Sequence, residues 1–253
     1  MRVQTGDDVG IGGFIITGGA PKHVVLRAIG PSLTEAGVAD VLADPILELH
    51  GPAGFVTIIN DNWRDDSANT IAATGLAPTN DFESAIDATL VPGAYTAIVR
   101  GKDNTSGVAL IEVYGLDPSP LSQLANISTR AFVGTNDNIV IAGFILGGGG
   151  EDNDRIVVRG VGPSLGALGV TNTLANPNLE LRDSDGALVA ANNDWQDDAA
   201  QAAELIAAGL APGNNLESGL AIALPPGLYT ALLSGMNNGS GVGLVEVYDR
   251  GTP

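Results

Sequence analysis

SGVALIEVY at 106–114 decides the fold, because it returns as SGVGLVEVY at 240–248. Outward from that pair, PGAYTA at 92–97 matches PGLYTA at 226–231, and GLAPTNDFES at 75–84 matches GLAPGNNLES at 209–218. NDNWRDD at 60–66 corresponds to NNDWQDD at 192–198, and LADPILEL at 42–49 to LANPNLEL at 174–181. RAIGPSL at 27–33 returns as RGVGPSL at 159–165, and GDDVGIGGFI at 6–15 as NDNIVIAGFI at 136–145. The order never changes and the offset drifts only from 130 to 134, so gaps fall in loops. This is a tandem duplication. Two domains follow, 1–118 and 119–253, joined at GLDPSPLSQ, 115–123, where two prolines stiffen the link. Residues 1–120 hold 15 acidic and 6 basic groups and residues 121–253 hold 14 and 5, so each half carries −9.

Runs rich in Val, Ile and Thr, bounded by Gly, Pro, Asn and Asp, recur every ten residues or so. In the first copy they predict strands near 7–16, 23–30, 45–50, 54–60, 82–90, 94–101 and 107–115, and the second copy adds one at 125–133. KDNTSG at 102–107, MNNGSG at 236–241 and DSDG at 183–186 read as turns, since Asn and Gly tolerate positive φ. Strand 108–114 is apolar on both faces, which predicts a central strand. Helix is scarce. Segments 67–78 and 199–212 each fit one short helix, capped by Asp66 or Ser67 and by Asp198, and ended by Gly75 and Gly209. The expected class is all-β: two β-sandwiches of jelly-roll or immunoglobulin-like type, about eight strands each.

Composition excludes several functions. The net charge of −18 argues against a nucleic-acid partner, because phosphate binding needs clustered Lys and Arg. Without cysteine there are no disulfides, thiolate nucleophiles or Cys-type zinc sites. No apolar run reaches the ~18 residues of a membrane helix, so no membrane insertion is expected. No basic segment followed by an apolar run opens the chain, so no leader is expected.

The phrases NISTR, GFI, VRxxGPSL, LxxPxLELRDxxG, NDxW, GLAPxxxxES, LPPGxYTAxxxG and SGVxLVEVYD resemble those of a tandem-repeat family found in large secreted or surface proteins of environmental bacteria. The stretch PPGLYTALLSG is more distantly similar to bacterial pre-peptidase C-terminal modules. The resemblance covers almost the whole chain. It implies an extracellular or cell-surface location and a stalk, scaffold or fibre role, and it carries over no catalytic residue.

Candidate chemistry is thin. The two histidines, His23 and His50, align with Arg155 and Arg182, so no general base is duplicated. GPSL lacks the G-x-S-x-G elbow pattern, and Ser32 and Ser164 read as helix-turn caps. GGGG at 147–150 has no following Lys-Ser/Thr and reads as a hairpin loop. The acidic clusters Asp61, Asp65, Asp66 and Asp194, Asp197, Asp198 suit Ca²⁺, a hard cation that takes oxygen ligands. The same aspartates equally suit caps on the helices that follow. No other cofactor is expected. Trp63 and Trp195 align, and serve either as a glycan platform or as plugs over the sandwich end. Arg27 and Glu112 lie in strands among apolar residues, as do Arg159 and Glu246, which predicts a structural ion pair in each copy. Asn104, Asn126 and Asn238 occupy Asn-x-Ser/Thr sequons.

The copies differ at their starts. LSQLANISTR at 121–130 precedes the aligned part of the second copy, and the first has no counterpart. The first sandwich is therefore expected to lack a leading strand: either the sequence is cut from a longer array that supplies it ahead of Met1, or the strand comes from another chain. The expected function is a structural subunit of an extracellular filament or surface layer, with other copies of itself as partners. An adhesin or glycan-binding accessory module is the alternative.

Overall fold

The computed structural model describes residues 1–6, 8–116, 121–136, 138–147 and 153–251. The chain forms two compact units, Met1–Ala125 and Asn126–Pro253. The division falls inside a strand and later than the proline-rich link, because the strand's first residues pack on the first unit. Asp117–Pro120 of that link lie outside the described residues.

The first unit holds β1 (Arg2–Val3), β2 (Gly10–Gly18), β3 (Lys22–Ile29), β4 (Pro45–His50), β5 (Ile58–Asn60), α1 (Ala68–Ala73), β6 (Ser84–Leu90), β7 (Gly93–Gly101), β8 (Gly107–Val108) and β9 (Leu110–Gly115), then the start of β10 (Ser122–Val133). One sheet runs β5-β4-β7-β2, with Ser122–Ala125 of β10 beside β2. The other runs β6-β3-β9; β1 pairs with β8 and with β10. The β1–β8, β2–β7, β3–β6, β3–β9, β4–β5 and β4–β7 pairs are antiparallel, and an isolated parallel bridge joins Val41 to Val108.

Period-two alternation makes these elements. In PILELH, Pro45, Leu47 and Leu49 turn inward while Ile46, Glu48 and His50 turn out. Tyr95, Ala97 and Val99 do the same in β7. The inward rows of both sheets meet in one core of Phe14, Ile16, Val24, Leu26, Leu47, Leu49, Ile86 and Val99. Each such side chain contributes about 1.5–3 kcal/mol by leaving water.

The second unit repeats the plan with β11 (Val140–Leu146), β12 (Asp154–Val161), β13 (Pro177–Arg182), β14 (Leu188–Asn192), α2 (Ala199–Ala207), β15 (Ser218–Leu224), β16 (Gly227–Gly235) and β17 (Gly241–Asp249). Its sheets run β11-β16-β13-β14 and β15-β12-β17-β10. The all-β sandwich is thus built twice. No helix among the described residues is long and apolar enough to cross a membrane.

Local chemistry sets the boundaries. The turns after β7 and β16 place Asp103, Asn104, Asn237 and Asn238 at φ between 53° and 58°, the region that Asn and Asp enter with least strain. Gly75 and Gly209 follow the two helices at φ 76° and 69°. Asp198 caps α2, accepting from the N–H groups of Ala200 and Gln201. Ser67, at the equivalent place on α1, is left-handed and makes no side-chain cap bond. The expectation for β9 needs correction. β17 is central, between β12 and β10, but β9 pairs only with β3 and ends its sheet. β1 pairs with β8 as far as Val108, whereas β10 pairs along β17 from Gly241 to Tyr248.

Candidate functional site

The polar groups inside each sandwich explain the repeat's shared phrases. Arg27 and Glu112 stand opposite each other on β3 and β9, with Nε 2.7 Å from Oε2. Arg27 also donates to the Leu76 carbonyl just past the α1 glycine and lies over the Tyr114 ring, whose hydroxyl donates to Glu112. Arg159, Glu246, Tyr248 and the Leu210 carbonyl repeat every contact. The guanidinium fork ties the central strands to the helix end. Burial, then the Glu246 charge, pushes the Tyr248 hydroxyl up to about 12.

A second device was not foreseen. Glu83 is wholly buried and accepts from the N–H groups of Gly30 and Ser32 and from the Ser32 hydroxyl. Glu217 does the same for Gly162 and Ser164, and also accepts from the Asn214 N–H. Ser32 and Ser164 therefore make no helix-cap bond; they feed a carboxylate from a distant loop. The preceding glycine is obligatory, since a Cβ on Gly30 or Gly162 would lie 2.1 Å from the carbonyl oxygen of Leu42 or Leu174. The adjacent Ser84 and Ser218 donate to the carbonyls of Pro45 and Pro177. GPSL, ES and the LELxx strand are one fastening in each unit. The signal lay in the co-occurrence of GPSL and ES in both copies.

The proposed calcium ligands do not converge. Among the described residues no three His, Cys, Asp or Glu side chains are placed to hold a metal. Asp61 accepts from Lys102 Nζ at 2.7 Å, and Asp44 lies 3.5 Å from the same ammonium. In the second unit Asn193, Met236 and Asn176 replace Asp61, Lys102 and Asp44. Charge is removed from all three positions together, as a structural ion pair requires. Asp65 accepts from Asn62, and Asp66, Asp197 and Asp198 are exposed. Asp194 is half-buried, and one of its oxygens has no partner in the structure.

Trp63 and Trp195 are 4% and 6% exposed. Trp63 packs against Ile71 of α1 and Ala85, and Trp195 against Leu205 of α2 and Ala221. They seal the space under the helices, and neither ring offers a stacking face for a sugar. His23 pairs with Asp87, and His50 with Glu48. Their counterparts Arg155 and Arg182 pair with Glu204 and Glu180, so both positions set a basic side chain against a carboxylate. All but the first residue of the glycine run at 147–150 lies outside the described residues. Asn104 and Asn238 sit in turns, and Asn126 lies in β10 with its side-chain amide donating to the Val247 carbonyl.

Two strands differ in their surroundings from their counterparts in the other copy: β9 and β11 each end a sheet among the described residues. In the second unit β10 covers β17, and Val245 and Val247 are 0% and 4% exposed. Their counterparts Ile111 and Val113 on β9 are only half-buried, and Leu110 is 40% exposed. In the first unit the Gly19 N–H donates to the Leu121 carbonyl, and Leu124 packs on the core. In the second unit β11 ends its sheet, with Ile141 and Ile145 50% and 70% exposed.

No protein-family profile matches the chain, and no curated protein matches it. Among solved structures, the crystal structure of the infectious bursal disease virus VP2 subviral particle is similar at 13% identity over 98% of this chain and 70% of that chain. Its TM-score of 0.19 carries no argument.

Proposed function

We propose that the chain is a structural subunit of an extracellular filament or surface layer, built by β-strand pairing between molecules. One observation carries this reading: the same sandwich is built twice in series, and its internal fastenings, Arg27–Glu112–Tyr114 and Glu83 with Ser32, recur as Arg159–Glu246–Tyr248 and Glu217 with Ser164. An uncovered edge presents free N–H and C=O groups that template another strand. The Arg–Glu–Tyr and buried-glutamate clusters support a mechanical role, since each ties segments of its own sandwich together and recurs in both copies. Repeated contacts between unlike edges do not close, and so generate an open polymer.

Negative-stain electron microscopy of concentrated protein tests the reading. Fibres or sheets are the expected result. Dispersed particles at millimolar concentration, with light scattering giving a single chain mass, contradict it.

A further inference from the structure

We infer that molecules join by pairing β5 of one with β14 of another, Ile59 opposite Ala191. The inference rests on the strand-pairing reading above and names the two strands that meet.

Both strands lie well inside the chain, at corresponding ends of corresponding sheets. Among the described residues neither has a neighbour beyond β4 or β13. The hydrogen-bond pattern fixes which groups each edge offers. The Lys102 N–H donates to the Asp44 carbonyl at 2.9 Å. Bonded residues alternate along an antiparallel pair. Ile46 and Glu48 therefore bond with β7, while Leu47 and Leu49 turn to β5, opposite Asn60 and Ile58. Ile59 lies between those two, so its N–H and C=O point away from β4. The Met236 N–H donates to the Asn176 carbonyl at 2.9 Å, and the same alternation points Ala191 away from β13.

Nothing guards these edges. Proteins commonly protect an edge strand with charge or proline. Phe55–Asn60 and Ala187–Asn193 contain neither, in a chain of net charge −18. Val56 and Ile59 are 81% and 58% exposed, and Leu188 is 56% exposed. The carboxylates beside them, Glu48 opposite Ile59 and Glu180 opposite Ala191, are each held by an arginine, Arg100 at 3.0 Å and Arg182 at 2.6 Å. A second molecule thus meets no unpaired carboxylate from these strands. Both edges are also braced from behind, since Asn60 accepts from the Ala85 N–H and Asn192 from the Gly219 N–H.

Length and size select the crossed pair. A register shift between Leu181 and Arg182 disturbs the start of β14 and leaves Ala190–Asn192 regular. That stretch matches Ile58–Asn60, the whole of β5. With Ile59 doubly bonded to Ala191, Ile58 faces Asn192 and Asn60 faces Ala190. Crossed pairing sets the large Ile59 beside the small Ala191, whereas like pairing sets two isoleucines or two alanines together. Facing positions pack best when large meets small. Each molecule carries one edge of each kind, so the contact repeats from molecule to molecule without closing.

The chain has no cysteine, so disulfide trapping reads the contact directly. Doubly bonded antiparallel residues lie about 5.5 Å apart at Cα, a separation that a disulfide spans. Ile59→Cys and Ala191→Cys chains, one carrying a mass tag, are mixed under a mild oxidant, with Asn69→Cys on the exposed face of α1 as control. The expected result is a 59–191 dimer that exceeds both like dimers and every dimer through residue 69. Equal yields, or a dominant 59–59 or 191–191 dimer, overturn the inference. Ile59→Lys, which puts a charge on the edge and leaves the β4 ladder intact, should lose assembly while its melting temperature stays within a few degrees. A crossed dimer from chains that never form fibres supports this contact and defeats the polymer. Fibres formed equally by the Ile59→Lys chain, without a crossed dimer, defeat this contact and leave the polymer standing.

Discussion

Glu217 shows how much one side chain can hold. Its carboxylate gathers the GPSL turn, the Ser164 hydroxyl and its own loop through four donors. Hydrogen bonds to a charged acceptor contribute about 1.5–3 kcal/mol each, and not additively. Glu217→Gln turns an NH₂ toward those donors, and should cost about 2–3 kcal/mol by urea unfolding. Arg159→Ala leaves Glu246 half-buried without its cation, and should cost about 3 kcal/mol. Replacing both with apolar residues of similar volume should recover most of that loss. The four tyrosines, Tyr95, Tyr114, Tyr229 and Tyr248, are all held above the usual phenol range, chiefly by burial. The unfolded chain releases these protons near ~10 and the folded chain later. Stability should therefore be flat below about pH 10 and fall as pH climbs toward 12. A native absorbance titration matching free tyrosine would contradict this.

At the scale of elements, Gly209 ends α2 at φ 69°, where a Cβ costs about 1–2 kcal/mol. Gly209→Ala should lower stability by that amount, read from the melting curve. Lys102→Met should also lower the melting temperature, by leaving Asp44 and Asp61 without their cation. Adding Asp44→Asn and Asp61→Asn, which copies the second unit, should restore it. The elements were largely legible because alternation and Asn/Gly turns are local signals: β4 begins and ends where its apolar rhythm does. The facing of Arg27 and Glu112 was legible because both recur between apolar neighbours. The Glu83 anchor was not, because it joins segments about fifty residues apart and nothing in either segment names the other. The edge position of β9 was hidden too. Its sequence, apolar on both faces, is that of a central strand, and nothing in it distinguishes it from β17, which is central.

For the whole molecule, charge and edges oppose each other. A chain of −18 repels its copies, and the proposed strand pairing would have to overcome that repulsion. Salt shortens the reach of that repulsion to about 10 Å at 0.1 M. The critical concentration for assembly should therefore fall as ionic strength rises, and a rise would place attractive charge pairs at the contact instead. The central claim is that molecules join by strand pairing, through the edges of β5 and β14. Amide exchange of Ile59 and Ala191, compared in dispersed and assembled material, tests it most directly. The account predicts fast exchange in the dispersed chain, slow exchange at Val245 and Val247 throughout, and protection of Ile59 and Ala191 on assembly. Equal protection of all four amides in the dispersed chain, or unchanged fast exchange in the assembly, would contradict it.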